Sequence, residues 1–283
     1  MEIIRAKHMG FCFGVMEAVN VCNELKTIDR KKYILGMLVH NTFVVNQMKK
    51  NGFEIIEEQD LLDDKDNLSE GDIVIIRAHG TSKNIMQKLK DRKVEVHDVT
   101  CVFVSKIRDQ IIEAQKNGYE ILFVGDKNHP EVRGIISYAD SIIIFKNLEE
   151  AQKIKIDADK KYFLSTQTTL NKKKFEEIKQ YFSRYKNVLI FDKICGATSV
   201  RQQSVEDLAP NVDVMLIVGD KKSSNTNKLF EISKKLNENS YHIEDEKDLD
   251  ISIIKGKQKI GITAGASTPE LIINNIESKI RGI

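Results

Sequence analysis

The chain has 283 residues, 41% of them apolar, enough to bury a substantial core, and Lys+Arg 44 against Asp+Glu 42 leaves a formal charge of +2. That near balance argues against nucleic-acid binding through bulk electrostatics. No stretch approaches the roughly 18 consecutive apolar residues that a membrane helix needs. Arg5, Lys7 and His8 break the opening run too early for a signal peptide, so no membrane association and a cytoplasmic location are expected.

In chain order, Ile3-Ile4 predicts a short strand leading to Gly10-Phe11-Cys12-Phe13-Gly14. Val15, Ala18, Val19, Cys22 and Leu25 then recur at helical spacing, so a helix starts just after Cys12, with Cys22 on its apolar stripe as a core thiol. Tyr33-Ile34-Leu35-Gly36 predicts a strand ending in Leu38-Val39-His40-Asn41, and a helix over 44–50 stops at Gly52. Residues 53–56 form a third strand, 57–72 read as an acidic surface stretch, and Ile73-Val74-Ile75-Ile76 ends at Arg77-Ala78-His79-Gly80.

The order then repeats. Val94-Glu95-Val96 runs into Asp98-Val99-Thr100-Cys101, a helix follows through Val104, Ile107, Ile111 and Ala114, and the strand over 121–125 ends in Asp126-Lys127-Asn128-His129-Pro130-Glu131. After a short helix come a strand over 142–145 and then Tyr162-Phe163-Leu164, whose loop is Thr166-Gln167-Thr168-Thr169. A third round opens with a strand over 188–191 and Asp192-Lys193-Ile194-Cys195, with a helix from about Ser199. The strand over 214–218 leads to Gly219-Asp220-Lys221 and Ser223-Ser224-Asn225, an echo of Val124-Gly125-Asp126-Lys127. Tyr241-His242-Ile243 and Ile260-Gly261-Ile262-Thr263 follow, the latter ending at Ala264-Gly265-Ala266-Ser267.

Cys12, Cys101 and Cys195 stand 89 and 94 residues apart, with a glycine 24 residues beyond each (Gly36, Gly125, Gly219) and a polar group 28 residues beyond each (His40, His129, Ser223). Short apolar strands alternating with amphipathic helices in a threefold repeat predict an α/β fold of three pseudo-threefold-related units with small parallel sheets. The expected units are 13–100, 101–193 and 194–283, the last completed by the N-terminal strand 1–12. In such sheets ligands bind beyond the carboxyl ends of the strands, where every residue singled out here falls, so the strand ends are expected to face one centre.

Four cysteines without a Cys-x-x-Cys pair argue against a disulfide framework and for free thiols. Each of the three spaced cysteines precedes a helix, whose first-turn N–H groups and dipole favour a thiolate ligand. Three thiolates from one chain fit a zinc site completed by histidine or a [4Fe–4S] cluster with one iron open; the lack of closely spaced ligand pairs points to the cluster, and its open iron to substrate binding. His40, His79 and His129 with Ser223, Ser224, Asn225 and Ser267 read as an anion pocket suited to a diphosphate. Glu131, close to such charges, is expected to be hard to ionise and to serve as a proton donor. His8, His97 and His242 fall outside the pattern.

These motifs, from Gly10-Phe11-Cys12 through Ala78-His79-Gly80, His129-Pro130-Glu131, Thr166-Gln167-Thr168-Thr169, Ile194-Cys195-Gly196-Ala197-Thr198 and Ser223-Ser224-Asn225 to Ala264-Gly265-Ala266-Ser267, resemble the 4-hydroxy-3-methylbut-2-enyl diphosphate reductase family over nearly the whole chain. The resemblance implies a trefoil of three α/β units around one [4Fe–4S] cluster on Cys12, Cys101 and Cys195, with the fourth iron open to substrate. It implies that His40, His79, His129, Thr168, Ser223, Ser224, Asn225 and Ser267 bind the substrate, and that Glu131, Thr168 and His129 form the catalytic set. It also implies reductive removal of the substrate hydroxyl as water, giving isopentenyl and dimethylallyl diphosphate, with electrons from a flavodoxin or ferredoxin. Val102 and Met16-Glu17 depart from the family, which commonly has a proline and basic residues there, and no additional domain is expected beyond Ile283. Two readings compete: a three-cysteine dehydratase resembling quinolinate synthase, in which Arg77 and Arg133 would meet a carboxylate, and an iron–sulfur sensor.

Overall fold

The computed structural model describes residues 1–192 and 195–282, so Lys193 and Ile194 of the third cysteine motif, and Ile283, lie outside the described residues. The first round is β1 (Glu2–Arg5), α1 (Phe13–Leu25), β2 (Lys32–Leu35), α2 (Thr42–Lys50), β3 (Phe53–Ile56), α3 (Glu58–Leu62), β4 (Ile73–Ile76), α4 (Lys83–Asp91) and β5 (Glu95–Asp98). The second is α5 (Val102–Lys116), β6 (Tyr119–Val124), α6 (Pro130–Ile136), β7 (Ile142–Phe145), α7 (Leu148–Gln152), β8 (Lys161–Thr166), α8 (Lys172–Phe182) and β9 (Val188–Ile190). The third is α9 (Gly196–Leu208), β10 (Val214–Val218), α10 (Ser224–Leu236), β11 (Ser240–Ile243), β12 (Lys259–Ala264) and α11 (Glu270–Arg281).

All pairing is parallel, and one strand order is written three times: β3-β2-β4-β5, β7-β6-β8-β9 and β11-β10-β12-β1. This is the three-sheet α/β architecture that the repeat predicts. The third sheet takes its edge strand from the start of the chain, Glu2 lying opposite Lys259. The chain divides into two compact units, one of Met1–Met16, Val39–Gln47 and Gly196–Ile283 and one of Glu17–Leu38 and Met48–Cys195. The first holds the sheet containing β1, the second the other two sheets.

Parallel strands need helical crossovers, which cover both faces and make the central strands apolar throughout. β10 shows this: Val214, Leu216 and Val218 face a core shared with Ile273, Ile276 and Ile280 of α11, while Met215 and Ile217 face Val205 and Leu229 of α9 and α10. β6 divides likewise, Leu122 and Val124 meeting Phe175, Ile178 and Phe182, Ile121 and Phe123 meeting Ile107 and Ile111.

Three local expectations are corrected. α2 begins at Thr42 rather than 44, because Asn41 Oδ1 accepts the Val44 N–H (3.1 Å) and caps the helix earlier. α9 begins at Gly196 rather than near Ser199, which sets Cys195 directly before its first turn. The acidic stretch 57–72 is not all solvated surface: Leu61 is fully buried, and Glu58 Oε1 accepts from Arg77 Nη2 (2.7 Å) and from the Thr81 hydroxyl (2.9 Å). That ion pair occupies a buried Arg77, and Arg133 is exposed, so neither arginine behaves as the carboxylate receptor of the dehydratase reading.

Two glycines let the first turn of α10 approach the strand ends. A Cβ on Gly265 would lie 2.0 Å from Thr226 Oγ1, and one on Gly219, whose φ is +145°, 2.8 Å from the same atom. Thr226 is β-branched and fully buried, so it cannot swing aside. Gly265→Ala is therefore expected to cost about 1–3 kcal/mol by overpacking, read as a lower urea midpoint with an unchanged denaturant slope.

Candidate functional site

Each of the three spaced cysteines follows the edge strand of its sheet and opens a helix: Cys12 before α1, Cys101 as the N-cap of α5, Cys195 before α9. Each is half-buried and free of any disulfide. The backbone does the same thing three times. Cys12 N–H donates to Ala266 O (3.0 Å), Cys101 N–H to Ala78 O (3.0 Å) and Cys195 N–H to Thr168 O (3.4 Å), in every case the loop that leaves the neighbouring strand, β12, β4 or β8. Those loops also carry Ser267, His79 and Thr168. Cys22 differs, as expected: it is fully buried in α1, and burial pushes its thiol up to about 12. Soft sulfur donors with solvent access, fixed at helix starts, fit an iron–sulfur group, whereas Cys22 does not.

In the second unit, Glu131 lies in the first turn of α6, almost wholly buried. Its two carboxylate oxygens are both taken by one residue: Oε1 accepts the Thr168 N–H (2.6 Å) and Oε2 the Thr168 hydroxyl (2.7 Å). These bonds favour the charged form, but burial outweighs them and raises the carboxyl above its ordinary value. His129, the N-cap of α6, accepts the Glu131 N–H at Nδ1 (3.3 Å), which leaves Nε2 to carry the proton of the neutral ring. Its ring meets that of His79 edge-on, with centroids 5.7 Å apart. Gln167 ties the two strand-end loops together: its Oε1 accepts the Asp126 N–H (2.8 Å) and its Nε2 donates to Thr169 Oγ1 (3.1 Å).

In the first unit, Ser223 caps α10 by accepting the Thr226 N–H (3.3 Å), which leaves its own hydroxyl proton to donate elsewhere. Asn225 is buried, and both its amide nitrogen and its amide oxygen lack a partner among the described residues. Ser267 donates to the His40 carbonyl (2.9 Å). His242, outside the sequence pattern, places its Nε2 2.9 Å from Gly219 O and braces the start of the Ser223 loop. Arg201 is likewise a brace, donating to Gly10 O (2.6 Å) and Ala197 O (2.8 Å).

Gln167 and Arg201 carry no role in the sequence analysis, because the Asp126 N–H and the Gly10 carbonyl they bond are brought to them by the fold alone. Asp220, also missed, accepts the Thr42 N–H (3.1 Å) and the Thr42 hydroxyl (2.9 Å).

One of the three spaced thiols at helix starts, Cys195, is joined through Thr168 to a buried acid that is hard to ionise, an arrangement that fits an iron–sulfur protein. The chain belongs to the LytB protein family, whose profile matches residues 3–281. It is 68% identical over 284 residues to a 4-hydroxy-3-methylbut-2-enyl diphosphate reductase of Fusobacterium nucleatum subsp. nucleatum, covering 100% of this chain and 34% of that protein. The chain thus spans about a third of that relative's length. A reductase of the same name from Caldanaerobacter subterraneus subsp. tengcongensis is 42% identical over 287 residues, covering 100% of this chain and 98% of that protein. Among solved structures, the E-1-hydroxy-2-methyl-but-2-enyl-4-diphosphate reductase from Plasmodium falciparum superposes with a TM-score of 0.90 at 31% identity, over 98% of this chain and 86% of the other. A structure of (E)-4-hydroxy-3-methyl-but-2-enyl diphosphate reductase, the terminal enzyme of the non-mevalonate pathway, gives a TM-score of 0.72 at 38% identity, over 100% of both chains.

A carboxyl raised above its ordinary 4.5 holds its proton more tightly folded than unfolded. Its contribution to stability is full below that value and is lost as pH rises through the folded-state value. Glu131→Gln cannot ionise. Its unfolding free energy, measured by urea titration from pH 4 to pH 8, is expected to fall less with rising pH than that of the unsubstituted protein; parallel curves would show that Glu131 ionises as easily folded as unfolded.

Proposed function

We propose that this chain is a 4-hydroxy-3-methylbut-2-enyl diphosphate reductase, converting that substrate to isopentenyl and dimethylallyl diphosphate in isoprenoid biosynthesis. The observation that carries the reading, beside the family, is the buried Glu131–Thr168 pair joined through Thr168 O to the N–H of Cys195. Replacing the C–O bond of the alcohol by C–H takes two electrons and two protons and releases water. A [4Fe–4S] cluster on Cys12, Cys101 and Cys195 would supply the electrons and an open Lewis-acidic iron.

The chain's own residues do the rest. Thr168 contacts the substrate hydroxyl and passes it a proton drawn from Glu131, an acid whose proton desolvation holds more tightly than an exposed carboxyl would. The hydroxyl that now donates to Glu131 Oε2 turns to the substrate as Glu131 replaces the lost proton. Nε2–H of His129, with His40, His79, Ser223, Ser224, Asn225 and Ser267, holds the diphosphate. Asn225 supports this part: a buried amide without a partner costs about 1–3 kcal/mol, which a phosphate oxygen on its Nδ2 would recover. Ser267 reaches the diphosphate by exchanging its bond to the His40 carbonyl.

Electrons come from a flavodoxin or ferredoxin, which fits a cytoplasmic reductase; no described helix is long and apolar enough to cross a membrane.

After anaerobic purification, iron and sulfide analysis of Cys101→Ser is expected to show loss of the cluster, and that of Cys22→Ser full loading. Iron lost from Cys22→Ser would mean that the wrong thiols have been chosen. Glu131→Gln, assayed with a chemical electron donor, is expected to keep iron and KM while kcat drops roughly 10²-fold to 10⁴-fold; an unchanged kcat would remove Glu131 from the proton path.

A further inference from the structure

A carboxylate is an unwelcome neighbour for a diphosphate, yet Asp220 is buried one loop from Ser223 and Asn225. Its charge is fully engaged. Oδ2 accepts the Thr42 N–H (3.1 Å) and the Thr42 hydroxyl (2.9 Å), and Oδ1 accepts the Lys222 N–H (2.8 Å). Thr42 is the first residue of α2, whose early N–H groups have no partner within the helix. Asp220 therefore caps α2 from a loop 178 residues away, and an external carboxylate at a helix N-terminus is held by both hydrogen bonding and the helix dipole.

The repeat supplies an internal comparison. Asp126 occupies the matching place in the second round, after Val124-Gly125 as Asp220 follows Val218-Gly219. Asp126 is exposed, bonds the Asn128 N–H next to it (3.1 Å) and pairs with Lys146 (3.2 Å). The same motif thus stays local in one round and reaches another loop in the other, so the reach of Asp220 is not a default of the turn. What it reaches is the segment that carries His40. Ser267 fixes the His40 carbonyl (2.9 Å), and the Asn41 N–H bonds back to Val39 O (2.8 Å). Asp220 clamps the backbone two residues beyond His40, a hold that persists when Ser267 exchanges the His40 carbonyl for the diphosphate. Burial alone would raise this carboxyl, but the bonds to Lys222 and Thr42 and the neighbouring His40 ring hold it below its ordinary value, so the clamp is a charged one.

We propose that Asp220 is a positioning residue for diphosphate binding: by anchoring the first turn of α2 it holds His40 in the register that the diphosphate needs. This rests on the reading of His40 as a diphosphate ligand. It acts through another residue and touches no reacting atom.

Anaerobic calorimetric titration of the iron-loaded enzyme with inorganic pyrophosphate tests it. Asp220→Ala is expected to weaken pyrophosphate roughly 10-fold to 100-fold, the scale of lost hydrogen bonds to a charged group. Iron content stays unchanged, and KM for the allylic diphosphate rises far more than kcat falls. Because the effect passes through His40, the double variant His40→Ala/Asp220→Ala binds no more weakly than His40→Ala alone. Thr42→Val, which removes just the hydroxyl bond, shifts affinity the same way by less, and carries the test if Asp220→Ala does not fold. Unchanged affinity in Asp220→Ala or, should that fail to fold, in Thr42→Val, or additive losses in the double variant, would overturn the assignment. Unchanged affinity in His40→Ala would instead overturn the diphosphate reading of His40, and the inference with it.

Discussion

The hydrogen bond from the N–H of each of the three spaced cysteines to the carbonyl of the loop leaving the adjacent strand is the constraint on which the site depends. In a parallel sheet the strands finish on the same side, so the loop after an edge strand and the loop after its neighbour emerge together. Bonding Cys12 to Ala266, Cys101 to Ala78 and Cys195 to Thr168 extends the ladder past the end of each sheet. The thiol is thereby placed on a rigid support, with the helix that follows starting from a fixed point. Ser267, His79 and Thr168 inherit that rigidity because they sit one residue from, or at, the accepting carbonyl. Side chains placed this way need no close spacing in sequence, since the sheet supplies the alignment.

A second balance governs Glu131. Two donors from Thr168 favour its anion and burial favours its acid, and burial prevails. The result is a carboxyl that is hard to ionise and whose two oxygens are already oriented by Thr168. Its cost falls on folding, where a dry carboxyl with one polar partner contributes less than an apolar side chain of the same volume would.

Much of this was legible in the sequence. The parallel sheets could be anticipated because apolar runs of four to six residues, separated by helical spacing, admit few arrangements other than parallel pairing with crossovers. The places of the three cysteines before helices and of His40 and His129 after strands follow from their matched positions in the repeat, and that of Glu131 from its lying two residues beyond His129. Local capping was harder: Asn41 starts α2 early, and nothing in the residues around Ser199 shows that α9 reaches back to Gly196. Least legible were groups whose partners are distant in the chain. Glu58 reads as surface acid until Arg77 is found beside it, and Asp220 looks the same as Asp126 in its own segment. The difference lies in which loop the fold brings near, and a local pattern does not carry that.

The pairing of β1 with β12 bears on how the chain reaches this state. Residues 2–5 are among the first of this stretch to leave the ribosome, and their partners at 259–262 among the last. At synthesis rates of roughly 5–20 residues per second, β1 waits more than ten seconds with both edges bare while the two other sheets can close behind it. Cys12, fixed by Ala266, is consequently the last of the three spaced thiols to gain its support. A chain halted before Ala266 holds two of the spaced thiols in place and leaves one loose, a state open to stray metals and to oxidation.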